Sequence, residues 1–311
     1  MLQVSQPARY PPVNLRINQR ILEMATSVDD FKDILTAEVY VDLDKLRESA
    51  RHGVPMVVRG EVWKYLLGVS PADRSQELTS LKAKYDEYLT LEKENTDIIK
   101  RVRGEVGRYQ RKNIIQDING TKDYTNVFEN VIGAYMNNNN RDADYNSAFV
   151  HLCGPFVYCI KNEAEVYYCF TRLMAILDEY NLTHNINERV ANFMTLFRAV
   201  IPDLCNYFEE EEVDINEWAS SWLQFLFAKE LQFENLMRLW DAYFSISDPI
   251  EFHPYVCLAV LKHTRENLEE LEQSEIRTLL LRLPSMDMEQ IINQAFNLRH
   301  EILERQISDS F

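Results

Sequence analysis

Glycine is scarce in this chain: 8 residues among 311, and none after Gly154. A β-rich second half needs many tight turns, so its absence there favours helices and an all-α fold. Positive charge is short as well, 33 Lys and Arg against 49 Asp and Glu, for a formal net charge of −16. Bulk attraction to nucleic acid or to an anionic membrane is thereby excluded, although a local basic patch remains compatible with it. No apolar run reaches a membrane-spanning length, and the N-terminus does not read as a secretory leader. The expectation is a cytoplasmic protein that is peripheral to membranes only through partners. The five cysteines (Cys153, Cys159, Cys169, Cys205, Cys257) contain no Cys-x-x-Cys pair and fall in apolar helical patterns, which reads as reduced core thiols. There is no glycine-rich phosphate loop, no Gly-x-Ser-x-Gly elbow and no His-Glu-x-x-His. The six histidines are scattered without ligand spacing, so neither a metal nor a cofactor is expected.

What is present is organised around residues 51–68. Gly53 permits a tight bend, and Pro55 suits the first turn of a helix, where its missing N–H costs nothing. Val58, Val62, Trp63, Leu66 and Leu67 form an apolar stripe at helical spacing, Arg59 lies one turn before Trp63, and Gly68 supplies the stop. As far as physics alone reads it, this is one capped core helix.

Residues 1–13, with Pro7, Pro11 and Pro12, read as an arm. Helices are expected within 15–35 and 41–46, either packed on the main domain or binding something else. A long charged stretch over 72–112 has helical periodicity and carries a local basic run, Arg101, Arg103, Arg108, Arg111 and Lys112. The run is either a solvated helix end or a contact for an acidic partner surface or a lipid headgroup. Further helices are expected over 123–136, 145–160 with a break or bend at Gly154-Pro155, 163–180, 186–204, 233–244, 253–265, 274–283 and 288–305. Asp214 and Glu217 have the spacing of a capping box for a helix bearing Trp218 and Trp222. There is no repeat and no low-complexity linker, so the domain division is an N-terminal arm with short helices (1–49), one helical domain (50–305) and a tail (306–311).

Gly53-Val54-Pro55, then Arg59, Val62-Trp63 and Leu66-Leu67-Gly68, resembles the opening signature of the TBC domain of Rab-directed GTPase-activating proteins. A second stretch, Ser221-Trp222-Leu223-Gln224-Phe225-Leu226-Phe227 followed by Arg238-Leu239-Trp240-Asp241, is similar to that family's late motif. The resemblance implies a multi-helix TBC domain and a Rab-class small GTPase as partner. It also implies two side chains inserted into the partner's nucleotide site: an arginine from Ile-x-x-Asp-x-x-Arg-Thr and a glutamine from Tyr-x-Gln-Gly-Met-Asn. An arginine finger of this kind is worth ~10³–10⁵ in rate.

Both finger positions are altered here. Ile114, Asp117 and Thr121 match the first motif, but Gly120 occupies the arginine position; Tyr145 matches the second, but Ser147 occupies the glutamine position. Glycine donates nothing, and serine is too short to orient a water directly. The reading is a GTPase-activator-like protein, a pseudo-GAP that engages its partner through Asp117, Gly120, Thr121, Tyr145 and Ser147. It would act with little or no finger-dependent activation, as a regulator or a subunit of a larger regulatory complex in vesicle transport. One alternative is an active protein using Lys122, Arg111 or Arg141 as a substitute; another is a scaffold that binds no GTPase. Gly53, Pro55, Arg59, Trp63, Trp222, Trp240 and Asp241 are read as structural, Arg59 pairing with Asp117 and Asp241 bonding backbone or an arginine.

Overall fold

The computed structural model describes residues 28–113, 123–139 and 144–308, and the secondary structure in them is helical apart from one isolated bridge between Tyr40 and Asp73. The chain begins with α1 (28–35) and α2 (Leu43–Arg51), then α3 (Met56–Leu66), α4 (Glu77–Thr90) and α5 (Thr96–Lys112). The middle of the chain holds α6 (Thr125–Asn138), α7 (Ala148–Cys159), α8 (Glu163–Thr183) and α9 (Ile186–Val200). The last third is α10 (Pro202–Glu210), α11 (Ala219–Phe225), α12 (Phe233–Ser245), α13 (Pro249–Leu268), α14 (Gln273–Leu281) and α15 (Met288–Ser308).

Helix starts follow side-chain chemistry. Asp42, Asn95, Asn162 and Asn185 each accept a hydrogen bond from a backbone N–H in the first turn of α2, α5, α8 and α9, satisfying donors that have no partner within the helix. Glu272 and Glu275 make a reciprocal capping box on α14. The stretch 72–112, one charged run in the sequence, is two helices, because the 91–95 segment leaves helical geometry ahead of the Asn95 cap. The single helix expected over 186–204 is also two. Pro202 forces Ile201 out of the helical region, to φ −135° and ψ 62°, and then opens α10 as its first residue. Asp214 caps only a single 3₁₀ turn, Ile215–Glu217, by accepting from the Asn216 N–H at 2.9 Å; Glu217 turns away to Arg277.

Conversely, α7 runs unbroken through Gly154-Pro155. Every residue from Ala148 to Val157 is buried, and Gly154 fits against the Tyr109 ring, where a Cβ would come within 2.1 Å of the hydroxyl. Packing on all sides overrides the local cost of proline in a helix interior. Gly60 has a similar role on α3: a Cβ there would stand 2.2 Å from the Cys159 carbonyl oxygen, so the glycine lets α3 close on the C-terminal end of α7.

One core runs through the described residues. Phe31, Ile34, Val41 and Leu46 belong to it, so the segment over 28–51 packs on the rest of the domain. Arg74 secures that attachment by donating to the carbonyls of Leu35 and Ala37, both at 2.9 Å. Trp63, Trp218, Trp222 and Trp240 are all fully buried, and all five cysteines are free. Past α11 the backbone of Leu226 and Phe227 is left-handed, φ +50° and +63°, with both side chains in the core. No helix among the described residues is long and apolar enough to cross a membrane.

Candidate functional site

Two separated parts of the sequence meet at Asp241. Its carboxylate, fully enclosed in α12, accepts from the Val54 N–H (2.9 Å), from Arg59 Nε (3.0 Å) and Nη2 (3.1 Å), and from Trp63 Nε1 (2.8 Å). Burial pushes this carboxyl up, while the Arg59 charge and the hydrogen bonds from Arg59, Val54 and Trp63 pull the other way. Gly53, at φ +106°, makes the bend that aims the Val54 N–H inward, and Pro55, at φ −59° and ψ 138°, then leads into α3. The Trp63 ring meets Phe156, Trp240 and Phe244 at centroid distances of 5.7, 6.2 and 5.0 Å, so the same knot grips the C-terminal half of α7. Trp222 is held elsewhere in the core, donating to the Leu280 carbonyl at 2.9 Å. The motif residues suggest Asp117 as the partner of Arg59, and backbone or an arginine as the partner of Asp241; among the described residues the carboxylate that Arg59 grips is Asp241. Asp117 itself lies outside the described residues, as do Gly120, Thr121, Lys122 and Arg141.

The opposite end of α7 carries Tyr145 and Ser147. Ser147 precedes the first helical residue with φ −59° and ψ −22°, and its hydroxyl makes no cap; Asn146 Oδ1 accepts the Ala148 N–H at 2.9 Å in its place. Nine residues of helix rise, roughly 14 Å, separate Ser147 from Phe156. The knot at Asp241 therefore supports the position of Ser147 through α7 without lining its surroundings.

Around Ser147 lies an open hollow of about 340 Å³ whose other walls are Tyr145 and, on α5, Arg101, Glu105 and Arg108. Positions 101, 105 and 108 share one face of α5, while Val102, Val106 and Tyr109 point into the core. Glu105 bonds Arg108 through one oxygen and meets His151 Nε2 at 3.1 Å through the other. Burial alone would push Glu105 up, but the bonds from Arg108 and His151 hold it below the usual carboxylate range. His151 is pushed down by burial, so its neutral ring donates from Nε2 and leaves Nδ1 without a partner. The Arg101 guanidinium lies over the Tyr145 ring, 5.6 Å from its centroid. Burial raises the Tyr145 hydroxyl well above its ordinary pKa, and that hydroxyl has no hydrogen-bond partner.

Much of the basic run is committed within the chain. Arg103 makes a forked pair with Glu129 at 2.7 and 3.1 Å, Arg108 pairs with Glu105, and Lys112 donates to the Lys229 carbonyl at 2.6 Å. The sequence reading treats these cations as one local run, either a solvated helix end or a contact for an acidic partner surface or a lipid headgroup. Their helical spacing, 101-105-108 on one face and 103 on another, is the signal that separates them.

A family model described as the Rab-GTPase-TBC domain matches residues 56–269. The chain belongs to this family. Among its TBC-domain relatives are the GTPase-activating protein gyp1 of Schizosaccharomyces pombe and human TBC1 domain family member 22B. The first is 26% identical over 336 residues, covering 93% of this chain and 65% of the relative; the second is 25% identical over 314 residues, covering 89% and 59%. The chain thus spans roughly three fifths of the length of these TBC proteins. Two solved structures share the TBC fold. The Ypt/Rab-GAP domain of Gyp1p has a TM-score of 0.71 at 22% identity and covers 90% of this chain and 99% of that one. A Chlamydomonas flagellar RabGAP TBC domain has 0.67 at 19% identity, covering 91% and 93%.

Proposed function

We propose that this TBC-domain protein binds a Rab-class small GTPase through the face bearing Tyr145 and Ser147 and accelerates hydrolysis little by the two-finger route. It serves as a regulator in membrane traffic, alone or within a larger complex, and reaches membranes through its partners. The partner class follows from relatives named as GTPase-activating proteins and from the solved Ypt/Rab-GAP domain. The observation that carries the rest is Ser147. The frame that sets the start of α7 is complete, from the Asp241 knot through Phe156, yet the side chain it presents is a hydroxyl on one carbon. Serine ends roughly 2.4 Å short of where glutamine places its amide oxygen and nitrogen, a gap of one carbon–carbon bond and one carbon–oxygen or carbon–nitrogen bond. Asn146, beside it, is occupied in capping α7.

Single-turnover GTP hydrolysis across a panel of purified Rab-class GTPases tests this. The expected rates stay within about tenfold of intrinsic, against the ~10³–10⁵ of an arginine finger. Acceleration in the finger range by the unaltered protein refutes the proposal. The paired substitution Gly120→Arg with Ser147→Gln is expected to raise the rate on a GTPase that the unaltered protein binds.

A further inference from the structure

Among the described residues, the hollow at Ser147 contains one cation that is left unspent. Of the ionised groups around it, Glu105 is satisfied twice, by Arg108 and by His151. Arg103, on the neighbouring face of α5, is committed to Glu129. Arg101 differs: among the described residues no carboxylate lies within 4 Å of its guanidinium, and its recorded contact is with the face of Tyr145. Counting the described walls Arg101, Arg108 and Glu105, and taking His151 as neutral, these residues carry a net single positive charge, and that charge resides on Arg101.

Stacking on an aromatic face orients a guanidinium without consuming its N–H groups, which radiate in the plane of the group. Arg101 is thus pre-aimed and keeps its donors for a ligand with two or more oxygens on one centre. At the same wall Ser147 has a hydroxyl that makes no cap, whereas the unpartnered Tyr145 hydroxyl is buried and leaves the ring face to hold Arg101. An ionic donor and a neutral one thus line one open hollow, with a single unpaired positive charge among its described walls. The complementary chemistry is a phosphoryl group: several oxygens, negative charge, and need of both ionic and neutral donors.

We infer that Arg101, laid on Tyr145 beside Ser147, is the group by which this protein reads a terminal phosphoryl group on its partner's nucleotide. The inference rests on the GTPase-binding reading above and supplies its nucleotide-state preference. Arg101 binds the phosphoryl oxygens in a forked geometry and stabilises the triphosphate-bound complex; no bond to phosphorus is made or broken.

The test uses the full chain and Rab-class GTPases loaded either with GDP or with the non-hydrolysable analogue GppNHp, with affinities from fluorescence anisotropy. The unaltered protein is expected to favour the analogue-bound form. Arg101→Ala should weaken that form by about tenfold or more, the size of a lost charge-assisted hydrogen bond, and leave GDP-form binding within about twofold. Arg101→Lys should keep part of the preference, since lysine supplies charge without the fork. Arg101 is exposed, and unchanged circular dichroism of the variants would establish that the fold is intact. Undiminished binding of the analogue form by Arg101→Ala overturns the inference while GTPase binding stands. Equal weakening of both nucleotide forms also overturns it, because Arg101 would then meet a carboxylate of the partner. Binding of no GTPase in either form by the unaltered protein overturns both readings.

Discussion

Replacing Asp241 with alanine is expected to cost more than any surface change in this protein. The substitution removes the acceptor for four N–H bonds at once, from Val54, Trp63 and the two nitrogens of Arg59. It also strands a guanidinium whose side chain is only 11% exposed. Breaking a buried ion pair from one side typically costs about 3–5 kcal/mol, because the remaining charge stays desolvated. Asp241→Asn keeps one acceptor oxygen but turns an amide nitrogen toward another donor, so a smaller loss of about 2 kcal/mol is expected. Adding Arg59→Met to Asp241→Ala removes the stranded charge and should recover part of the stability, giving a coupling of about 2 kcal/mol in the double-mutant cycle. Urea unfolding followed by circular dichroism reads the four proteins of the cycle and Asp241→Asn, with equal slopes required for the comparison. A loss below about 1 kcal/mol for Asp241→Ala, the range of an exposed pair, or strict additivity with Arg59→Met, would refute the view that this knot joins the two halves of the domain.

Gly60→Ala is expected to destabilise by about 1–3 kcal/mol or more, visible as a lower melting temperature, because the new methyl would press on the Cys159 carbonyl across α3 and α7. His253 is fully buried, taking the Tyr243 hydroxyl on Nδ1 and donating from Nε2 to the Trp222 carbonyl at 2.7 Å, and burial pushes its pKa from 6.5 down to about 3. The unfolded chain therefore binds the extra proton first. The stability His253 allows is complete above pH 6.5 and falls as pH drops from 6.5 toward 3, by about 2 kcal/mol between pH 7 and pH 5. A His253→Gln protein should show a shallower loss over that interval in urea titrations, and an identical slope would contradict the assignment.

The fold was legible mainly where patterns are local. The bend at Gly53, the stop at Gly68 (φ +72°) and the course of α3 follow from residue types whose backbone preferences act within a few positions. Helix continuity was harder. Gly154-Pro155 reads as a break, and tertiary burial carries α7 straight through it, whereas Pro202 does end a helix because nothing overrides its restriction on Ile201. The Arg59 pair was legible only from one side: Asp241 reads as bonding backbone or an arginine, and it does both, but nothing in the spacing says that the arginine is Arg59, 182 residues away. In the candidate site, Tyr145 and Ser147 could be named from their motif. The α5 arginines beside them could not, since no pattern in either segment says that α5 and α7 lie together.

The left-handed pair Leu226-Phe227 has a consequence for how this domain gives way under stress. Large apolar residues are held there in a conformation that costs of order 1–3 kcal/mol each. They stay in it because Trp222 lies 4.7 Å and His253 5.0 Å from the Phe227 ring, and because Trp240 donates to the Leu226 carbonyl at 3.3 Å. The corner behaves as a sprung catch: damage to any of those three rings lets it relax before the surrounding helices melt. Proteases that cut beside leucine and phenylalanine should then find their first site at this corner.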